Sequence, residues 1–302
     1  MRTINARFLL LTLLVSLMVL SQPLFAQGPP SFNGHYPAGV EGIKAASLPP
    51  PGFYLRDYNL FYFANQVNDA DGDKVPVDFD LTAYAQAIRP IWITEWKLLG
   101  ASYGMDVLVP FIYTDLKVNG ASDSSFNLGD IFVEPITLSW HGKQYDVGVG
   151  YGFWAPTGDY DVHAMTNPGK GFWSQMFTAG ATGYFDKEKT WSLSGLCRYE
   201  IHSENPDTDI TPGQTFTLEW GLGKTFAKTI DVGLVGYFVQ QTTEDDGPGA
   251  SNDLNRVASV GPEVNVFFPS VKLFTSLRYE YEFVARDQQQ GQTVTLTLTK
   301  IF

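Results

Sequence analysis

The side chains best suited to chemistry in this sequence are carboxylates and arginines recurring at every second position. Asp106, Asp130 and Asp146 fall on the polar faces of alternating segments, as do Arg198, Glu200, Glu219, Glu263, Arg278 and Glu280. Antiparallel pairing across residues 204–213 sets Arg198 opposite Glu219, and pairing across 268–270 sets Glu263 diagonal to Arg278. A charge in a confined space is costly unless paired. These residues therefore read either as a charged constriction that selects a solute or as a ladder of ion pairs filling an interior. The three aspartates tilt that interior acidic, which disfavours anions and permits neutral or cationic amphiphiles.

Other chemistry finds little support. The four histidines, His35, His141, His163 and His202, are widely spaced and make no local metal motif, and the single Cys197 excludes an internal disulfide or a Cys-rich metal site. Residues 68–73 (Asn-Asp-Ala-Asp-Gly-Asp) place oxygens at spacing two but lack the later bidentate Glu and helical flanks of a calcium loop. They read as a solvated acidic loop, as does Glu244-Asp245-Asp246. His202 and Ser203 are sequential on a strand and point to opposite sides, so they form no nucleophile–base pair of the kind an outer-membrane phospholipase needs. No catalytic residue, cofactor or metal is expected. With 20 basic against 32 acidic residues and a net charge of −12, nucleic acid is not a partner.

The elements that must position these residues are strands. Charged residues are only 17% and aromatics 15% of the 302 residues, against about 25% charged in an average soluble domain. Period-two alternation recurs throughout. In 144–154, Tyr145, Val147, Val149, Tyr151 and Phe153 oppose Gln144, Asp146 and three glycines; 191–202, 271–283 and 293–302 repeat the pattern. The punctuation predicts twelve strands at 53–66, 78–92, 100–115, 127–140, 144–156, 172–185, 190–203, 214–226, 230–243, 256–267, 271–284 and 292–302. Long connections are expected at 67–77, 116–126, 157–171, 204–213, 244–255 and 285–291, and short ones at 93–99, 141–143, 186–189, 227–229 and 268–270. Long and short alternate, as in a bacterial outer-membrane barrel. The expected fold is thus all-β, a transmembrane antiparallel β-barrel of about 12 strands with an apolar exterior and a polar bore. Six of the seven tryptophans lie near strand ends, where membrane interfaces favour them; Trp154 and Trp173, flanking 157–171, are expected at the rim. A secreted, soluble all-β protein is the alternative.

Residues 1–26 read as a signal peptide: Arg2 and Arg7 precede an apolar run from Phe8 to Leu20, too short to span a bilayer as a helix, with cleavage expected after Ala26. Residues 27–52, rich in Pro and Gly, are either a tail or a lumen plug carrying His35 and Tyr36 to a solute. The barrel occupies 53–302. Its last residue, Phe302, resembles the terminal aromatic recognised by the outer-membrane barrel-assembly machinery. Outer-membrane lipids and lipopolysaccharide are the expected surroundings.

Several stretches resemble one family. They are His35-Tyr36-Pro37-Ala38-Gly39-Val40-Glu41-Gly42-Ile43-Lys44, Leu48-Pro49-Pro50-Pro51-Gly52-Phe53-Tyr54, Tyr103-Gly104-Met105-Asp106, Leu128-Gly129-Asp130, Ala155-Pro156-Thr157-Gly158-Asp159-Tyr160, Gly236-Tyr237-Phe238-Val239-Gln240-Gln241 and Gly261-Pro262-Glu263. In this order they resemble the family described as "putative MetA-pathway of phenol degradation", outer-membrane barrels labelled transporters. The resemblance implies passive uptake of small hydrophobic or aromatic compounds and supplies no catalytic residue. A structural or adhesive barrel with a filled lumen is the alternative.

Overall fold

The computed structural model describes residues 34–302. The expected signal peptide, and residues 27–33 of the segment after it, lie outside the described residues. The described chain forms β1 (Gly52–Asn68), β2 (Phe79–Leu98), β3 (Ala101–Val118), β4 (Ala121–Leu128), β5 (Ile131–His141), β6 (Tyr145–Ala155), β7 (Ser174–Tyr184), β8 (Trp191–His202), β9 (Thr215–Phe226), β10 (Ile230–Gln241), β11 (Arg256–Phe268), β12 (Leu273–Arg286) and β13 (Gln288–Ile301). Every pairing is antiparallel, and β1 pairs with both β2 and β13, so the sheet closes on itself. β4 pairs with residues 111–118 of β3 and β5 with residues 102–108. Together β4 and β5 make one stave, and the barrel has twelve. Apart from β4, which pairs only with β3 beyond the end of β5, closure leaves no open edge, which is what lets a sheet sit in hydrocarbon with its backbone polar groups paired.

The two faces are inverted relative to a water-soluble barrel. Along β12, Leu277, Tyr279, Tyr281 and Phe283 are 39–55% exposed, while the alternating Arg278, Glu280 and Glu282 are 0–3% exposed. The pattern holds in β8, where Ser192, Ser194, Arg198 and Glu200 are buried and Trp191, Leu193 and Ile201 are exposed. Water would expel the first set and hydrocarbon the second. The exterior therefore meets lipid.

The staves follow the alternation, but three connections differ from expectation. The stretch 116–126 is not a long loop: β3 continues to Val118, turns at Asn119-Gly120 and returns as β4. Both turn residues have left-handed φ, 49° and 84°, the requirement that Asn-Gly meets in a two-residue hairpin. The stretch 285–291 is no loop either, since only Asp287 separates β12 from β13. Beyond the Tyr281–Gln292 pair the two strands part, β12 continuing along β11 and β13 along β1. In place of the short connection at 93–99, β2 extends to Leu98 and turns at Leu99-Gly100. The connections 69–78, 156–173, 203–214 and 242–255 gather at one end of the barrel, and the turns at 99–100, 142–144, 185–190, 227–229 and 269–272 at the other.

Residues 34–51 contain no strand or helix and run through the lumen. At the long-loop end His35 meets Ser174 and Asp130; midway Gly39 meets Glu219; toward the turn end Lys44 meets Asp231 and Ser47 meets Asp146.

Candidate functional site

A run of this length without regular structure carries backbone N–H groups that need acceptors. Three glutamates on the wall supply them. Glu200 on β8 accepts from His35 N and Tyr36 N at 3.0 and 3.2 Å. One oxygen of Glu219 on β9 accepts from Gly39, Val40 and Glu41 N at 3.0, 3.1 and 2.9 Å, and its other oxygen from Tyr36 Oη and Arg198 Nη1, each at 2.6 Å. Glu263 on β11 accepts from Ile43 N at 2.7 Å and from Arg278 Nη2 at 2.9 Å, while Arg278 Nη1 donates to the Gly39 carbonyl. The segment thus leans on β8–β12. Glycines on the inward faces make the room: a Cβ on Gly221 would stand 2.7 Å from the Gly42 oxygen, and one on Gly180 2.9 Å from Ala46 Cβ. Gly221→Val is therefore expected to dislodge the segment while the barrel ladder survives, since overpacking of this kind costs about 1–3 kcal/mol. Trypsin should then cut after Lys44, which stays protected in the unaltered protein.

At the long-loop end the segment is clasped by a chain of polar side chains. His35 Nε2 lies 2.9 Å from Asp130, His35 Nδ1 2.6 Å from Ser174 Oγ, and Ser174 Oγ 2.6 Å from His202 Nδ1. A carboxylate only accepts, so His35 Nε2–H donates to Asp130, Nδ1 accepts from Ser174, and Ser174 accepts from His202 Nδ1–H. These residue types occur in serine hydrolases, but Ser174 is 0% exposed, so no scissile carbonyl reaches it. The chain works as a clasp. Asp130 also accepts from Gly158 N and Lys170 N, tying loop 156–173 to the same point. Burial pushes the His35 imidazole down to about 4, Lys170 adding to the effect and the Asp130 contacts opposing it.

Around the segment, bordered by the β1–β6 side and by parts of β8 and β10–β13, is a cavity of about 860 Å³. This falls within the roughly 300–1,000 Å³ of small-molecule sites. Its lining is tiered. Toward the long-loop end it is apolar, formed by Leu60, Ala85, Leu108, Pro110, Ile112 and Phe132. A charged girdle crosses its middle. Arg89 bonds Asp106 through Nε and Nη2 at 2.7 and 2.9 Å and Glu134 at 2.8 Å; Arg56 Nη1 bonds Glu41 at 2.9 Å; Tyr58 Oη donates to Glu41 at 2.7 Å. Burial alone would raise the Glu41 carboxyl, but Arg56, Arg198 and Arg89 outweigh it and hold the group below its ordinary range. Toward the turn end Tyr54, Ile91 and Ile93 pack with Leu48 and Ile301 into an apolar cluster.

The residues singled out in the sequence divide between these features. Glu200, Glu219, Glu263, Arg198 and Arg278 hold the segment; Glu280 stands buried beside them, accepting from Ser259 at 3.2 Å. Asp106 belongs to the girdle, Asp130 to the clasp, and Asp146 to the turn end, where it accepts from Tyr184 and Ser47. Two registers differ from expectation. Leu196 lies opposite Glu219, which makes Arg198–Glu219 the diagonal pair, and Glu263 lies directly opposite Arg278. The lengths of the connections, which alternation does not encode, set both. Trp154 is not at the rim: it is 4% exposed, stacked on His35 at 5.6 Å and against Phe132 at 4.8 Å. Its even number puts it on the inward face with Asp146, a signal present in the strand pattern. Trp173 is 48% exposed, beside Phe153 on the outer surface. Arg56, Tyr58, Arg89, Glu41 and Glu134 were not singled out, although Arg56 alternates with Tyr54 and Tyr58 on one face of β1.

The family model described as "Putative MetA-pathway of phenol degradation" matches residues 64–298. The chain belongs to this family. No curated protein matches it in sequence. Among solved structures, it is similar to an outer-membrane channel from Pseudomonas putida, with a TM-score of 0.77 and 15% identity over 89% of this chain and 100% of that one. It is also similar to the β domain of the Bordetella autotransporter BrkA (TM-score 0.52, 12% identity, 83% of this chain and 99% of that one). The translocator domain of the autotransporter NalP from Neisseria meningitidis gives a TM-score of 0.52 at 10% identity, over 85% of this chain and 91% of that one. At these identities the likeness is one of fold. This family member has the fold of an outer-membrane type of barrel.

Proposed function

We propose that the protein is a passive outer-membrane channel for small hydrophobic or aromatic compounds, with residues 34–51 acting as a plug beside which, or through whose displacement, the solute passes. The observation that carries this reading is the 860 Å³ cavity with an apolar chamber inside a closed barrel. Membership in a family described by phenol degradation and the likeness to a protein titled an outer-membrane channel support it. In this reading residues 1–26 are removed on export, the long loops face outward and the short turns face the periplasm. Phe302, 63% exposed at the turn end, is offered to the assembly machinery. Trp173 gathers solute at the outer rim. No reaction is involved.

The test is conductance in planar bilayers together with liposome swelling, for the mature chain and for a form lacking 27–51. The intact protein should pass a small current and the shortened one a current several times larger, with faster swelling. Absence of both current and swelling in the shortened form would sink the channel and leave a structural barrel with a filled lumen.

A further inference from the structure

We infer that the lumen selects uncharged solutes bearing one oxygen acceptor, which anchors on Arg56 while the apolar body occupies the chamber toward the long-loop end. The inference rests on the channel reading and names its substrate class. Arg56 is the most accessible of the ion-paired lumen arginines, its side chain 26% exposed against 13% for Arg89, 5% for Arg198 and 4% for Arg278. Its Nη1 is held by Glu41 and Tyr58 and its Nε by Thr299, but among the described residues Nη2 has no acceptor. Arg89 Nη1 reaches only Tyr58 Oη at 3.4 Å and Glu41 at 3.8 Å. Guanidinium groups only donate, so the girdle offers unused donors facing a cavity.

The charge count then decides among acceptors. Counted over the cavity's whole lining, the lysines and arginines equal the carboxylates, six of each, and at the girdle Arg56 and Arg89 face Glu41, Asp106 and Glu134. An anion gains no net attraction from such a set. The carboxylates already face guanidiniums, so an ammonium finds no free partner. A hydrocarbon strips water from Arg56 Nη2 and gives nothing in return, which is the strongest ground on which a polar site rejects an apolar analogue. A hydroxyl or carbonyl on an apolar body meets the donor without adding charge.

Equilibrium dialysis of the full protein in lipid nanodiscs, with empty nanodiscs subtracting partition into lipid, tests this with three probes sharing one ring: phenol, toluene and benzoate. Phenol should bind saturably and at least about tenfold tighter than either of the others. Arg56→Met should bring phenol to the level of toluene, while Arg56→Lys keeps part of the preference. Equal binding of toluene and phenol by the unaltered protein overturns the anchor and leaves the channel standing; so does a preference that survives Arg56→Met. If no probe binds above empty nanodiscs, the channel reading falls with the inference. The order among probes is read on the unaltered protein and needs no variant to fold.

Discussion

Glu219→Ala is expected to empty the lumen of its segment. One carboxylate there satisfies the N–H groups of Gly39, Val40 and Glu41, the Tyr36 hydroxyl and the Arg198 guanidinium, and Glu219 itself is 0% exposed. Alanine leaves four donors without an acceptor, the three N–H groups and the Tyr36 hydroxyl, each costing about 1–3 kcal/mol, and strands a buried arginine whose lost partner costs about 3–5 kcal/mol more. These costs are not additive, yet taken together they are comparable with the about 1.5–3 kcal/mol that each of the three remaining N–H bonds to Glu200 and Glu263 supplies. The barrel should persist, because its strands are joined by ladder hydrogen bonds that Glu219 does not make. Two measurements check the outcome: trypsin cleavage after Lys44, and a conductance approaching that of the form lacking 27–51. Glu219→Gln keeps an acceptor but loses the charge and should fall between. A Lys44 still protected in Glu219→Ala, with unchanged current, would show that the segment is held elsewhere.

The same residues explain what a reader of the sequence can and cannot see. Glu219 and Arg278 were legible as interior groups because lipid and lumen impose opposite demands on alternate positions, and each strand records the difference. Tyr279 at 39% and Glu280 at 0% exposure are neighbours in sequence with nothing else to separate them. The partners of Glu219 were not legible. A main-chain N–H leaves no residue-type signature, so Gly39, Val40 and Glu41 carry no mark of the carboxylate that binds them. Registers escaped for a related reason: the hairpin at Asn119-Gly120 and the parting of β12 from β13 depend on turn geometry and on pairing with third strands. Trp154, 4% exposed, shows that parity and not residue type decides which face a side chain takes. In a barrel whose interior holds a peptide, an inward tryptophan has something to pack on.

Acidification is the second large lever, and His35 is its expected origin. The docked imidazole faces Asp130, Ser174, His202 and Lys170, and burial holds its pKa at about 4 against an ordinary 6.5. A released segment exposes the ring to water and restores the ordinary value, so between those limits the released state binds more protons than the docked one. The contribution of His35 to docking is therefore fully present above about pH 6.5 and is lost as pH falls toward 4, by up to about 3 kcal/mol for a shift of this size. The hydrogen-bond chain gives the same sign: a proton on Nδ1 takes away the acceptor of the Ser174 hydroxyl, whose oxygen already receives His202 Nδ1–H. Glu41 and Asp130, both held below the ordinary carboxylate range despite burial that would raise them, extend the loss to lower pH. In Glu41 the neighbouring arginines outweigh burial; in Asp130 the His35 contact and the Gly158 and Lys170 N–H groups do. Conductance of the intact protein should rise reversibly as pH falls from 6.5 to 4, with trypsin sensitivity at Lys44, assayed after return to neutral pH in the presence of protease, lagging behind as the segment redocks. His35→Gln retains a donor toward Asp130 and cannot titrate, so its current should stay flat across the same interval. Parallel pH profiles for the two proteins would place the acid response in the glutamate wall instead of the clasp.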